Sequence, residues 1–170
     1  VFDIGGGSTE IIIGDGHEPK LLESLPIGCV SFSQRFFSEG IVDEENFKAA
    51  QNAALKEIKA IAPFYRKMGW EQAIGSSGTA RAIAELIALN GLSGEPHTLP
   101  VEETGGVITR HGLELLKKTL LDTKHTERLS LLGLKADRKP VLPGGLAIMI
   151  SAFEELGIEH MEITEAALLF

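Results

Sequence analysis

Hydrophobic and polar positions change period several times along this chain. Val1, Phe2 and Ile4 lead into a glycine triplet, and Ile11, Ile12 and Ile13 follow it, which predicts strand, tight turn, strand. Residues 20–26 read as a third strand after an Asp15-Gly16 turn, completing a meander. Residues 31–38 carry Phe32, Phe36 and Phe37 at near-helical spacing and predict a short helix. Asp43 is placed to cap a long helix in which Phe47, Ala50, Ala54, Ile58 and Ile61 recur every three or four positions, with Pro63 expected to end it. Residues 70–74 form a short apolar strand, and Ala80, Ile83, Ala84 and Ile87 continue as a helix that Asn90-Gly91 stops. Beyond a loop at 91–100, helical segments are expected at 101–110 and 113–121. A final helix turns Leu146, Met149, Ile150, Phe153 and Leu156 inward and stops at Gly157, and residues 159–163 read as a last strand.

The order β-β-β, helices, β, helices, β predicts an α/β fold: a mixed five-stranded sheet flanked by helices, with a ligand cleft where the first and fourth strands end. Three glycine-containing loops, at 5–9, 75–79 and 143–145, are expected to converge there. With 170 residues and 44% hydrophobic content the chain can bury one good core, so one domain or one large lobe is expected. It lacks an initiator Met, opens directly inside a strand and stops while still apolar, so it reads as a piece of something longer.

Charge and cysteine usage narrow the function. A net charge of −8 argues against nonspecific nucleic-acid binding. No apolar run reaches the roughly 18 residues a spanning helix needs, so no membrane partner is expected. The single cysteine, Cys29, excludes an internal disulfide framework, fits a reducing cytoplasm and sits among apolar neighbours as packing. His17, His97, His111, His125 and His160 are scattered without ligand spacing.

The chemistry concentrates in Asp3-Ile4-Gly5-Gly6-Gly7-Ser8-Thr9-Glu10. Glycine lacks a Cβ, so this turn can gather backbone N–H groups into an anion nest, with the hydroxyls of Ser8 and Thr9 beside it. Phosphate is the natural guest. Asp3 and Glu10 would repel it, so carboxylates at the rim of an anion site imply Mg²⁺ or another divalent cation between them. The other reading is a plain hairpin with solvated acids. Gly75-Ser76-Ser77-Gly78-Thr79 forms a second strand-turn-helix anion site, or simply an N-capped helix. Residues 136–140 hold a basic cluster just ahead of Gly144-Gly145.

These motifs, followed in order by Asp137-Arg138 and Leu142-Pro143-Gly144-Gly145-Leu146-Ala147-Ile148, resemble the exopolyphosphatase and guanosine pentaphosphate phosphatase family, within the actin-like ATPase superfamily. The resemblance covers essentially the whole chain. It implies a ribonuclease-H-like lobe, the second of two that clasp the substrate. It implies water attack on the terminal phosphoryl group of inorganic polyphosphate or on the 5′-phosphate of guanosine pentaphosphate. Carried over, Gly5, Gly6, Gly7, Ser8 and Thr9 would cradle phosphate, as would Ser76, Ser77, Gly78 and Thr79 and the Gly144-Gly145 turn. Asp3 and Glu10 would hold Mg²⁺, and Arg138 would neutralise the polyanion, unless it is a solvated turn charge.

The family places its catalytic glutamate just upstream of the Asp3–Ser8 motif, so this chain is expected to contain neither that base nor the first lobe. Members are often dimeric, so a homodimer is expected from the resemblance. Two readings compete: the ATP-binding lobe of a sugar or acetate kinase, which would transfer phosphate stoichiometrically to an acceptor, and a non-catalytic sensor of guanosine polyphosphates, which would bind without hydrolysis.

Overall fold

The computed structural model describes residues 1–93 and 106–164. A meander opens the chain: β1 (Phe2–Ile4), β2 (Thr9–Asp15) and β3 (Glu18–Leu25). The short helix α1 (Cys29–Phe36) and the long helix α2 (Glu44–Met68) follow, then β4 (Ile74–Gly75) and α3 (Gly78–Leu89). The remainder is β5 (Val107–Thr109), α4 (Arg110–Thr123), α5 (Leu142–Leu156) and β6 (His160–Ile163).

The strands form one mixed sheet in the order β3-β2-β1-β4-β6-β5. β1 runs antiparallel to β2 and parallel to β4, and β4 runs parallel to β6. β1 and β4 therefore present their C-terminal ends side by side, which is where an open α/β sheet takes ligands. Burial alternates along β1 and β2: Phe2, Ile4, Thr9 and Ile11 face the core, while Asp3 and Glu10 lie on the opposite side. The core continues through α5, which is apolar on every side and almost completely buried, packed against α1, α2, α3 and α4.

Several expectations are corrected. Among the described residues the sheet has six strands, not five, because residues 107–109 form an edge strand where a helix over 101–110 was expected. Residues 101–105 of that segment lie outside the described residues. Val107, Ile108 and Thr109 alternate exposed, buried and half-buried, the two-residue period of a strand. Helix α2 does not end at Pro63 but runs on to Met68. Pro63 and Lys59, whose carbonyl loses its helical donor, both face solvent, so water can take that oxygen. Flanking Ile61, Ala62 and Tyr65 are buried and hold the helix through the break. The strand expected at 70–74 contracts to Ile74–Gly75, and residues 143–145 are the first turn of α5 rather than a loop.

Candidate functional site

The glycine triplet is shaped by what it gives to α1. The Gly5 carbonyl accepts from Cys29 N at 2.9 Å, and the Gly6 carbonyl accepts from Val30 N at 2.9 Å and Ser31 N at 3.0 Å. The peptide bonds are trans, and in a trans peptide the C=O and N–H point in opposite directions. The N–H groups of Gly6 and Gly7 therefore point away from α1, and among the described residues no backbone carbonyl accepts from either. Both glycines are exposed, and a Cβ on Gly7 would meet nothing within 4 Å. Two solvent-facing amides therefore stand side by side at the turn.

Gly28 makes this docking possible and was not singled out from the sequence. A Cβ there would sit 2.3 Å from the Gly6 carbonyl oxygen and 2.5 Å from Gly7 Cα, so only glycine lets the start of α1 approach the loop. Its sequence signal is a glycine between the last residue of a strand and the first of a helix. Thr9 belongs to the scaffold: it is buried and its hydroxyl donates to the Ile27 carbonyl at 2.7 Å.

Asp3 and Glu10 are cross-strand partners in the β1/β2 register, and Glu10 pairs with Ser24 on β3. Side chains at opposed positions share a face, so the two carboxylates lie together beside the triplet. One Glu10 oxygen, Oε1, accepts from Ser8 Oγ at 3.0 Å and Ser24 Oγ at 2.9 Å, which leaves Oε2 available. Burial, and then the charge of Glu10, push the Asp3 carboxyl above its ordinary value. An acid destabilised by burial and by a neighbouring carboxylate matches the donor set of a hard divalent cation. Mg²⁺ commonly takes one or two protein carboxylates and completes its octahedron with water and phosphate oxygens. Among the described residues no group of three or more His, Cys, Asp and Glu is gathered to hold a metal, so such an ion would rely on those outside ligands.

The second loop lies at the end of β4. Ser77 caps α3, its Oγ accepting from Ala80 N at 3.1 Å, while the Ser76 amide ties back to the Phe2 carbonyl at 3.0 Å. Arg81 N makes the first helical bond, to Ser77 O, so the Gly78 and Thr79 amides are left at the open end of the helix. Among the described residues the Ser76 hydroxyl is buried with no hydrogen-bond partner, a deficit that an anion would relieve. The Arg138 guanidinium lies directly over Gly78, where a Cβ would be 2.3 Å from Nη2.

The third glycine pair serves packing. Gly144 N donates to Ser33 Oγ at 3.1 Å and Gly145 N to the Val141 carbonyl at 3.2 Å, so neither amide is free for phosphate. A Cβ on Gly144 would lie 2.6 Å from the Cys29 carbonyl oxygen, and one on Gly145 would lie 2.6 Å from Thr79 Cγ2 and 3.4 Å from Cys29 Cβ. Gly145 thus lets the first turns of α1 and α3 crowd against that of α5, and this contact holds the two glycine loops next to each other.

A mixed sheet flanked by helices, with glycine loops at adjacent parallel strand ends, has the architecture of the actin-like ATPase fold. The chain resembles the Aquifex aeolicus PPX-GPPA enzyme with a TM-score of 0.78 at 23% identity, covering 98% of this chain and 53% of that one. It also resembles a Cytophaga hutchinsonii exopolyphosphatase, with a TM-score of 0.78 at 22% identity over 98% and 53% of the two chains. The chain belongs to the Ppx/GppA phosphatase family, whose model matches residues 1–169. It is 40% identical over 168 residues to a Haemophilus influenzae protein named as an exopolyphosphatase, covering 99% of this chain and 49% of that protein. It is 38% identical over 168 residues to the guanosine-5′-triphosphate,3′-diphosphate pyrophosphatase of Photobacterium profundum, covering 99% and 31%. The chain therefore spans half or less of the length of these curated relatives. No helix among the described residues is long and apolar enough to cross a membrane.

Proposed function

We propose that this chain is the second lobe of a phosphohydrolase that releases terminal orthophosphate from inorganic polyphosphate or the 5′-phosphate of guanosine pentaphosphate. The observation that carries this reading is the orientation of the Gly5–Gly6 and Gly6–Gly7 peptide planes, which turns two unbonded N–H groups outward beside a pair of carboxylates. The relatives' names supply the substrates, and the geometry supplies parts suited to them.

Phosphoryl transfer asks a protein chiefly to position the group and stabilise the charge on its oxygens. The Gly6 and Gly7 amides bind one phosphate, while the Ser8 hydroxyl steadies Glu10 beside it; the Gly78 and Thr79 amides with the Ser76 and Ser77 hydroxyls bind a neighbouring one. Arg138, beside Gly78, offsets the accumulated negative charge. Asp3 and Glu10 hold Mg²⁺, which when bound screens phosphate oxygens from the two carboxylates. Thr9, Gly144 and Gly145 have no direct part, since their polar groups are already engaged. The attacking water needs a carboxylate base, placed upstream of Val1 in the parent protein, whose first lobe closes the other half of the cleft.

Titration of the ¹⁵N-labelled chain with orthophosphate in Mg²⁺ tests the site directly. The amide signals of Gly6, Gly7 and Gly78 should shift together, and Asp3→Ala should abolish the magnesium dependence. Shifts confined to other residues would overturn the reading.

A further inference from the structure

Next to the second loop lies a cleft of about 320 Å³ lined by Gly78, Arg81, Ala82, Glu85, Lys135 and Arg138 among others. Its volume lies at the small end of ligand pockets. Three cations face one acid there, in a chain whose net charge is −8. Among the described residues the ion pairs are Arg66–Glu155 and Arg110–Glu159, and no side-chain hydrogen bond engages Arg81, Lys135 or Arg138.

The wall bearing Lys135 and Arg138 is fastened in place. Asn90 Nδ2 donates to the Leu132 carbonyl at 3.0 Å and Asn90 Oδ1 accepts from Leu132 N at 3.0 Å, a two-way amide lock between the end of α3 and this segment. Gly133, at φ 85°, brings the segment close enough that a Cβ would lie 2.7 Å from Leu89 Cδ1. Arg138 N then donates to the Lys135 carbonyl at 3.0 Å, and Leu142 N to the Arg138 carbonyl at 3.0 Å, which joins the turn to α5. Unpaired like charges held close together repel one another, so a segment pinned to present them is suited to a counter-charge from outside.

We infer that this cleft is a subsite for phosphate groups of the substrate remote from the reacting one, with Arg81 and Lys135 as its specificity-determining residues. The inference rests on the phosphohydrolase reading above and extends it from the glycine loops to the outer face of α3. The ligand chemistry is an oligophosphate: either the continuing tail of a linear polyphosphate or the second diphosphate of a guanosine polyphosphate. Orthophosphate held at the loops meets the cleft only at its Gly78 and Arg138 edge and does not extend to Arg81 and Lys135.

Calorimetric titrations of the chain in Mg²⁺ with orthophosphate, tripolyphosphate and guanosine 5′-diphosphate 3′-diphosphate test this, comparing wild type with the Arg81→Gln/Lys135→Gln double variant. The variant should melt as wild type does and bind orthophosphate within about twofold. Its affinity for at least one oligophosphate should fall about five- to tenfold, a loss that shrinks as salt is raised. A loss with tripolyphosphate alone assigns the linear tail; a loss with the nucleotide alone assigns its second diphosphate. Unchanged affinity for both, with orthophosphate still shifting the Gly6 and Gly7 amides, overturns the subsite and leaves the parent reading standing. Failure of orthophosphate to shift those amides overturns both.

Discussion

Gly28→Ala is the sharpest test of how the triplet is held. The new methyl would lie 2.3 Å from the Gly6 carbonyl oxygen and 2.4 Å from its carbon, so backbone rather than a flexible side chain must move. Displacement lengthens the three bonds from Cys29, Val30 and Ser31 to the loop, each with a net worth of about 1 kcal/mol. Partial relaxation preserves some of them, while crowding a packed site costs about 1 to 3 kcal/mol. A net loss of about 3 kcal/mol follows, which in a chain of this length lowers the melting temperature by about 6 to 12 °C. Urea denaturation followed by circular dichroism gives the free energy, and scanning calorimetry the melting point. Gly7→Ala is the matched control: its Cβ meets open space, so its stability should stay within about 0.5 kcal/mol of wild type. Equal stability of Gly28→Ala and Gly7→Ala would refute the claim that close approach of α1 shapes the nest. In the phosphate titration Gly28→Ala should also lose the Gly6 and Gly7 shifts, because the two N–H groups no longer share an orientation.

The other predictions concern charge, packing and activity. Asp3 has a raised pKa, so the folded state holds its proton more tightly than the unfolded chain, and the stability contributed by the protonated acid is lost as pH rises through the carboxylate range. Asp3→Asn should therefore melt higher than wild type at pH 7 without metal, the gain shrinking toward pH 3; added Mg²⁺ should stabilise wild type but not the variant, as read by calorimetry. Ser33→Ala removes the acceptor of the buried Gly144 N–H and should cost about 1 to 3 kcal/mol in urea denaturation with phosphate binding retained. Tyr65→Phe removes the buried hydroxyl that donates to the Ile11 carbonyl, and its loss of about 1 to 2 kcal/mol should appear in the same assay. The chain by itself should release no phosphate from polyphosphate over repeated turnovers; measurable steady release would show that the catalytic base lies within residues 1–170.

Legibility in the sequence followed locality. The meander, the α3 stripe and the cap at Asp43 declare themselves through period and neighbouring residues, and all appear in the fold. Pro63 misled because its cost depends on which face its lost partner occupies, and Lys59 happens to face water. Three β-branched or β-prone residues at 107–109 are too short a run to outweigh a helical prior; the edge of β6 makes them a strand. Gly144 and Gly145 looked like a third nest because a glycine pair carries the same letters whether it admits an anion or a neighbouring helix. Only the distances to Ser33, Cys29 and Thr79 separate the two. Arg81 and Lys135 lie 54 positions apart and share a cleft only because Asn90 binds Leu132, a pairing no local pattern announces.

The junction between α1 and the triplet has an electrical consequence. The positive end of α1 abuts the carbonyl oxygens of Gly5 and Gly6, drawing electron density toward the helix through each amide plane. What is drawn to one side of a conjugated plane leaves the other side more electron-poor, so the outward hydrogens become stronger donors than those of an ordinary turn. A hairpin with no helix of its own beyond it thereby borrows the polarity of one, transmitted across two peptide groups.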